Sequence, residues 1–183
     1  MKQMNYGFST PVGHAGGLYD LTGYVCDSFN NGEKDGVLKH GMGVVTGEKA
    51  GVAALPKEGA TIKTFEGVLV NGLITEHTMD GNVSVREGQT VGILKQGRIW
   101  ARVTEDAAPA YNKPVLLIVK GEKAGLFTTS DDTENTGNTI AVNAKFLTEK
   151  GTALSWDNEE GKEKTVNIAA AEFYPTVIVA ANS

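Results

Sequence analysis

Valine and threonine each occur 18 times in this 183-residue chain, and 23 glycines, one residue in eight, interrupt the runs they form. Two heavy atoms on Cβ stiffen χ1, which weakens helices and suits a pleated surface. Glycine frees the backbone to turn between such runs. A chain patterned this way makes many short strands. They fall at Gly43–Thr46, Val52–Leu55, Thr61–Phe65 running on to Val68–Val70, Asn82–Val85, Thr90–Leu94, Arg98–Val103, Val115–Val119, Leu126–Thr129, Thr139–Phe146, Lys164–Ile168 and Thr176–Ala180. Val115–Val119 is continuously apolar, the pattern of a strand buried on both faces. The spacing predicts an all-β fold, a compact barrel or sandwich of about ten short antiparallel strands.

Turn chemistry supports this reading. Lys95-Gln96-Gly97 lies between two strand-like runs and predicts a hairpin with glycine at its turn. Gly-Glu-Lys-Ala-Gly occurs at Gly47–Gly51 and again at Gly121–Gly125, with Gly-Glu-Lys-Asp-Gly at Gly32–Gly36. The first two separate β-branched runs and read as hairpin turns. A phosphate-binding loop needs a different glycine spacing and a following helix, and neither is present in the sequence. The Gly41-Met42-Gly43 dinucleotide lookalike fails for the same reason. The one helical alternative is Ile168–Tyr174, alanine-rich but too short to stand alone; strand and single helical turn are both open there.

Composition narrows the function. The net charge is −5 with scattered lysines, which disfavours the basic patch that nucleic-acid binding requires. No run approaches the 18 or so apolar residues of a membrane helix, and the N-terminal residues have no apolar run of a secretory signal. Cys26 is alone, so no internal disulfide is expected, and a lone cysteine in a β-rich chain reads as a small buried apolar group. His14, His40 and His77 are too widely spaced for a local metal motif. Asp131–Asn138 resembles a calcium loop but lacks its frame and its closing glutamate, and reads as a solvated loop. Asp157–Lys162 reads as the tip of a hairpin between Trp156 and Val166. No Gly-x-Ser-x-Gly elbow occurs, and Cys26 would need His14 or His40 close in space to act as a nucleophile. No catalytic, cofactor or metal residue is assigned.

Residues 1–36 differ from the β domain expected over 37–183. They hold Tyr6, Phe8, Tyr19, Tyr24 and Phe29, five of the eleven Phe and Tyr residues, among seven glycines. No strand or helix period is sustained, so this predicts an extended arm that either lies across the β domain or docks on a neighbour. Aromatic side chains anchor interfaces at low entropic cost, and an extended arm can add a strand to a partner sheet. The bland alternative for Leu18–Val25 is that Tyr19, Leu21, Tyr24 and Val25 close one end of the core. Candidate partner-binding residues are Tyr6, Phe8, Pro11, Tyr19, Tyr24 and Phe29.

Several elements together resemble the structural cement, or capsid decoration, proteins of tailed bacteriophages. They are Gly41–Gly47, Phe65-Glu66-Gly67-Val68, Val85–Leu94 followed by Gly97–Val103 with its Gly-Arg-Ile-Trp, and Asn112–Val115. The resemblance spans roughly residues 41–150 and rests on glycine-and-valine patterns. It implies a non-enzymatic virion protein, made in the host cytoplasm, that sits on the outer surface of the head. Its partner would be the major capsid protein, with self-association as a homotrimer, or a dimer on two-fold axes; nucleic acid, membrane and cofactor have no part in it. Two competing functions come from the residues themselves. One is a carbohydrate-binding or adhesin-like module of a phage head or fibre, stacking sugars on Trp100 or Trp156. The other is a small β hydrolase, which requires paired carboxylates that the sequence does not display.

Overall fold

The computed structural model describes residues 13–72, 84–130, 137–155 and 164–175. They form ten strands: β1 Val25–Asn31, β2 Gly43–Thr46, β3 Val52–Ala54, β4 Phe65–Leu69, β5 Thr90–Arg102, β6 Pro114–Ile118, β7 Phe127–Thr128, β8 Thr139–Phe146, β9 Gly151–Ser155 and β10 Lys164–Phe173. No helix occurs among the described residues. The fold is all-β, as the glycine-punctuated runs require.

The strands close into two rings that share β5. The first runs β1-β3-β2-β4-β5 and closes because β5 also pairs with β1. The second runs β5-β10-β8-β6-β7, and Val103, one residue past β5, returns to Phe127 of β7 through a parallel bridge. β9 adds to β10 as an outlying hairpin partner. The pairing is antiparallel apart from that bridge and the parallel pair β1–β3. Each ring has its own core. Leu38, Val44, Ala53, Leu69 and Ile93 fill the first. Val68, Leu94, Ile99, Leu117, Phe127, Phe146 and Phe173 fill the second.

The expected hairpin at Lys95-Gln96-Gly97 is not formed. β5 runs through these residues as one 13-residue strand. Its first half pairs with β1 and β4, and its second half, from Gly97, pairs with β10. The two halves never face each other. The local device is a bulge: the β1 register jumps from Leu94 to Gln96, and Gly97 sits at φ +128°. One extra residue inverts the facing of everything beyond it. Val91 and Ile93 point into the first core, whereas Ile99, Ala101 and Val103, of the same parity, point into the second. A glycine that ends a strand and one that kinks a strand leave the same local signature, which is why the sequence suggested a turn.

The other expectations divide along physical lines. β2, β6, β7 and β8 lie where the runs placed them, and the two Gly-Glu-Lys-Ala-Gly repeats connect the antiparallel pairs β2–β3 and β6–β7. Thr61–Thr64 is a turn rather than a strand. The Thr64 hydroxyl donates to the Thr61 carbonyl and accepts the Thr61 N–H, so the side chain supplies the bonds a ladder would have made. Ser84 and Val85 lie outside any strand, while Asn82, Val83, the loop 131–136, the tip 157–162 and the run 176–180 lie outside the described residues. Ile168–Phe173 is strand. Ala169, Ala170 and Ala171 are fully buried there, all three paired with β5 and Ala171 with β8 as well. Cys26, expected inside, is exposed on β1.

Candidate interaction surface

The chain from Gly16 to Tyr19 is bound to β5 by its backbone. The Gly16 N–H donates to the Trp100 carbonyl at 2.8 Å, the Trp100 N–H to Gly17 at 2.9 Å, and the Tyr19 N–H to Arg98 at 2.9 Å. Leu18 packs on the second core. Tyr19 meets the Trp100 ring edge-on, with centroids 5.4 Å apart. Residues 20–24 then lead to β1, with Asp20 against Arg98 and Tyr24 against Gly97 of β5. Leu21 is 86% exposed, and Tyr19, Tyr24 and Val25 are 42, 48 and 49% exposed. Leu18 closes the core, whereas Tyr19, Leu21, Tyr24 and Val25, which the bland alternative sets at the end of the core, are exposed.

A charged clamp fixes this loop. Arg98 on β5 binds Asp20 at 2.8 Å and Glu172 of β10 at 3.0 Å. Lys145 of β8 reaches the other Glu172 oxygen at 3.4 Å, and the Tyr174 hydroxyl donates to that oxygen at 2.7 Å. Thr22, Gly23, Gln96, Gly97 and Tyr174 line a shallow groove of about 120 Å³ above the clamp. Desolvation works to raise the Asp20 pKa, but bonds from Arg98 and Thr22 outweigh it and hold the carboxyl below its usual range. The Tyr174 hydroxyl bond, followed by Arg98 and Lys145, holds Glu172 low against its own desolvation. Asp20 and Glu172 in turn raise Arg98. The loop is thus held in place while its apolar side chains stay outside.

β1 continues the surface, with one edge only partly paired among the described residues. β3 pairs only with Asn30 and Asn31. The Asn30 N–H donates towards the β3 side, to Gly51, and the Asn31 N–H towards β5, to Gln89. By alternation the backbone groups of Cys26 and Ser28 point away from β5, and no strand among the described residues meets them. Residues Val25 to Ser28 are all exposed. Cys26 is among them. Desolvation and the Asp27 charge raise its thiol pKa, which disfavours the thiolate a nucleophile needs.

The six candidate residues separate accordingly. Tyr19 and Tyr24 stand on the exposed surface. Phe29 does not: it packs on the first core, with the Lys95 ammonium 4.7 Å above its ring. Tyr6, Phe8 and Pro11 lie outside the described residues. Trp100 is not an open stacking platform, because Tyr19 covers its edge and the Gly13 backbone lies directly against the indole; Trp156 lies outside the described residues. Sequence reasoning missed Arg98, Lys145, Glu172 and Tyr174. Arg98, Lys145 and Glu172 come from three strands distant in the chain and Tyr174 lies just past β10, and no local pattern marks them.

A second groove, of about 540 Å³, opens between the β2–β3 turn and residues 57–64. Among the described residues no three His, Cys, Asp or Glu side chains cluster to hold a metal ion.

Comparison with known proteins identifies the lineage. The family described as structural cement protein (E217 gp24/Pam3 gp6), a phage family, matches residues 2–171. The chain belongs to the phage structural cement protein family. The match extends past the Gly41–Lys150 stretch that carries the resemblance in the sequence, over the N-terminal segment and through most of β10. A chain in the solved capsid of Myoviridae phage XM1 shares the cement protein's fold, with a TM-score of 0.57 at 19% identity, covering 92% of this chain and 97% of that one. No curated protein matches.

Proposed function

We propose that this cement protein binds the outer surface of a phage head and bridges neighbouring major capsid subunits. Membership of the cement family over residues 2–171 carries the proposal. The structure supplies a surface suited to it. Leu21, Tyr19, Tyr24 and Val25 expose apolar area on a clamped loop, so binding costs little ordering entropy there. The adjacent β1 edge offers an extended segment of a partner backbone groups that no strand among the described residues pairs. In this reading Tyr6, Phe8 and Pro11 are further partner-binding residues. Self-association as a homotrimer would make the second and third contacts effectively intramolecular on a shell of repeated sites.

The test is occupancy on purified heads. Deleting residues 1–12 removes the arm without touching β1, and Leu21→Asp with Tyr24→Ala alters the loop without entering the core. Each is expected to lower affinity at least about tenfold, the scale of losing an interface anchor. Undiminished occupancy by both variants would refute the assignment of this surface. Light scattering of the free protein tests the trimer; a monomer or dimer mass across working concentrations rejects it.

A further inference from the structure

Asparagine is followed by glycine at Asn31-Gly32 and at Asn71-Gly72. Such a pair is open to self-modification. Glycine has no Cβ to keep its nitrogen away from the asparagine side chain, so that nitrogen can attack the side-chain carbonyl carbon and expel ammonia. Whether a given pair reacts depends on how firmly its reacting groups are held.

Asn31 is held throughout. The residue is only 2% exposed. Its Oδ1 accepts the Glu33 N–H at 2.9 Å, and its Nδ2 donates to the Arg86 carbonyl at 2.9 Å. The Gly32 N–H, which would attack, is engaged by the Ala53 carbonyl at 2.9 Å. The backbone is fixed as well: the Asn31 N–H donates to Gln89, and the Asn31 carbonyl accepts the Gly88 N–H. Attack here must break the side-chain bonds and the Gly32 bond together.

Asn71 has the same sequence context and a different environment. It is half-buried, and Gly72 is exposed. Among the described residues no hydrogen bond holds its side chain. Its backbone is pinned, with the Asn71 N–H donating to the Gly16 carbonyl at 2.8 Å and the Val70 N–H to Gly92 at 2.9 Å. The Gly72 N–H closes only a three-residue turn, onto the Val70 carbonyl at 3.1 Å. Beyond its chain neighbours, no atom lies within 4 Å of the place a Gly72 Cβ would take. Water therefore reaches the attacking nitrogen.

We propose that Asn71-Gly72 is a self-modification site, which converts slowly to aspartyl and isoaspartyl forms while Asn31 keeps its amide. The Gly72 nitrogen gives up its proton and bonds to the Asn71 Cγ. The Cγ–Nδ2 bond breaks, and Nδ2 leaves as ammonia, closing a cyclic imide. Water then adds to one imide carbonyl. Opening at Cγ gives aspartate; opening at the main-chain carbonyl gives the isoaspartyl link, with the chain running through Cγ. Water enters, ammonia leaves and nothing is oxidised or reduced. Either product leaves a carboxylate on the residue whose N–H holds Gly16, so the root of the N-terminal segment gains negative charge as the protein ages. The isoaspartyl form also lengthens the backbone there by a methylene.

Peptide mapping by mass spectrometry follows both sites in the full chain aged at mildly alkaline pH. Labelling by an isoaspartyl-specific carboxyl methyltransferase gives a second readout. In the folded chain Asn71 should convert at least about tenfold faster than Asn31, which has to await local opening. In urea the two rates should converge. Gly72→Ala adds a Cβ into open space at a φ that alanine accepts; it should fold as the parent does and slow conversion at Asn71 at least about tenfold. Comparable rates at the two sites in the folded chain overturn the proposal. So does an Asn71 that stays intact under conditions that convert the unfolded chain, or an unchanged rate in Gly72→Ala.

Discussion

Gly97→Ala probes the bend on which both rings and the interaction surface depend. Gly97 sits at φ +128°, a conformation nearly restricted to glycine. Holding an alanine there costs about 1–3 kcal/mol. A Cβ added at this position would also lie 2.7 Å from the Tyr24 Cβ and 3.3 Å from its Cα. The nearer atoms belong to the base of a side chain and to backbone, so the clash cannot be relieved by rotating a flexible tip. Such overpacking adds about 1–3 kcal/mol. The sum, about 2–6 kcal/mol, is a large share of the 5–15 kcal/mol that stabilises an ordinary domain. For a chain of this size it lowers Tm by roughly 4–24 °C. Urea unfolding followed by tryptophan fluorescence measures the change, since Trp100 lies three residues away on β5. Gly23→Ala is the control: it lies in the same loop region, with open space around an added Cβ and no left-handed φ, and should stay within about 0.5 kcal/mol of the parent. If the loop yields instead of the strand, Tyr24 moves, and the deficit appears as lost capsid binding. Parent-like stability together with parent-like binding in Gly97→Ala would refute the bulge as the organising feature of β5.

Other outcomes follow from the same geometry. Phe127→Ala empties the second core, where Phe127 is fully buried and meets Phe173 edge-on at 5.4 Å; calorimetry should show a loss of about 3–5 kcal/mol. Asp20 and Glu172 have folded-state pKa values below their ordinary ones. Their contribution to stability is present above the unfolded carboxylate range near pH 4 and is lost as pH falls through the lower folded values. Arg98→Ala should therefore flatten the acid limb of a stability–pH curve while changing little at pH 7, as expected for a partly exposed cluster; an unchanged acid limb counts against the clamp. Trp100→Ala should cost stability, because Tyr19 and Gly13 pack on the indole, and should leave binding on a glycan array unaltered; a glycan signal abolished by this change would restore the carbohydrate reading.

The sequence by itself determined the fold class, most strand positions and the family resemblance. β-branched runs separated by glycine can satisfy their backbones only in sheets, and β2, β6, β7 and β8 stand where those runs lie. It also marked Tyr19 and Tyr24. It could not tell the bulge at Gly97 from a turn, since that depends on which strands arrive alongside: β1 and β4 at one half of β5, β10 at the other. It could not decide Ile168–Phe173 either, because alanine's preference for helix yields once β5 bonds the whole stretch as a ladder. Phe29 and Tyr24 look alike in sequence, yet one caps a core and the other faces solvent. Arg98, Asp20, Glu172 and Lys145 form one clamp because three strands and a loop converge there. Local sequence sets backbone preference; the facing of each side chain and the meeting of distant charges are set by register, which is a property of pairs of strands.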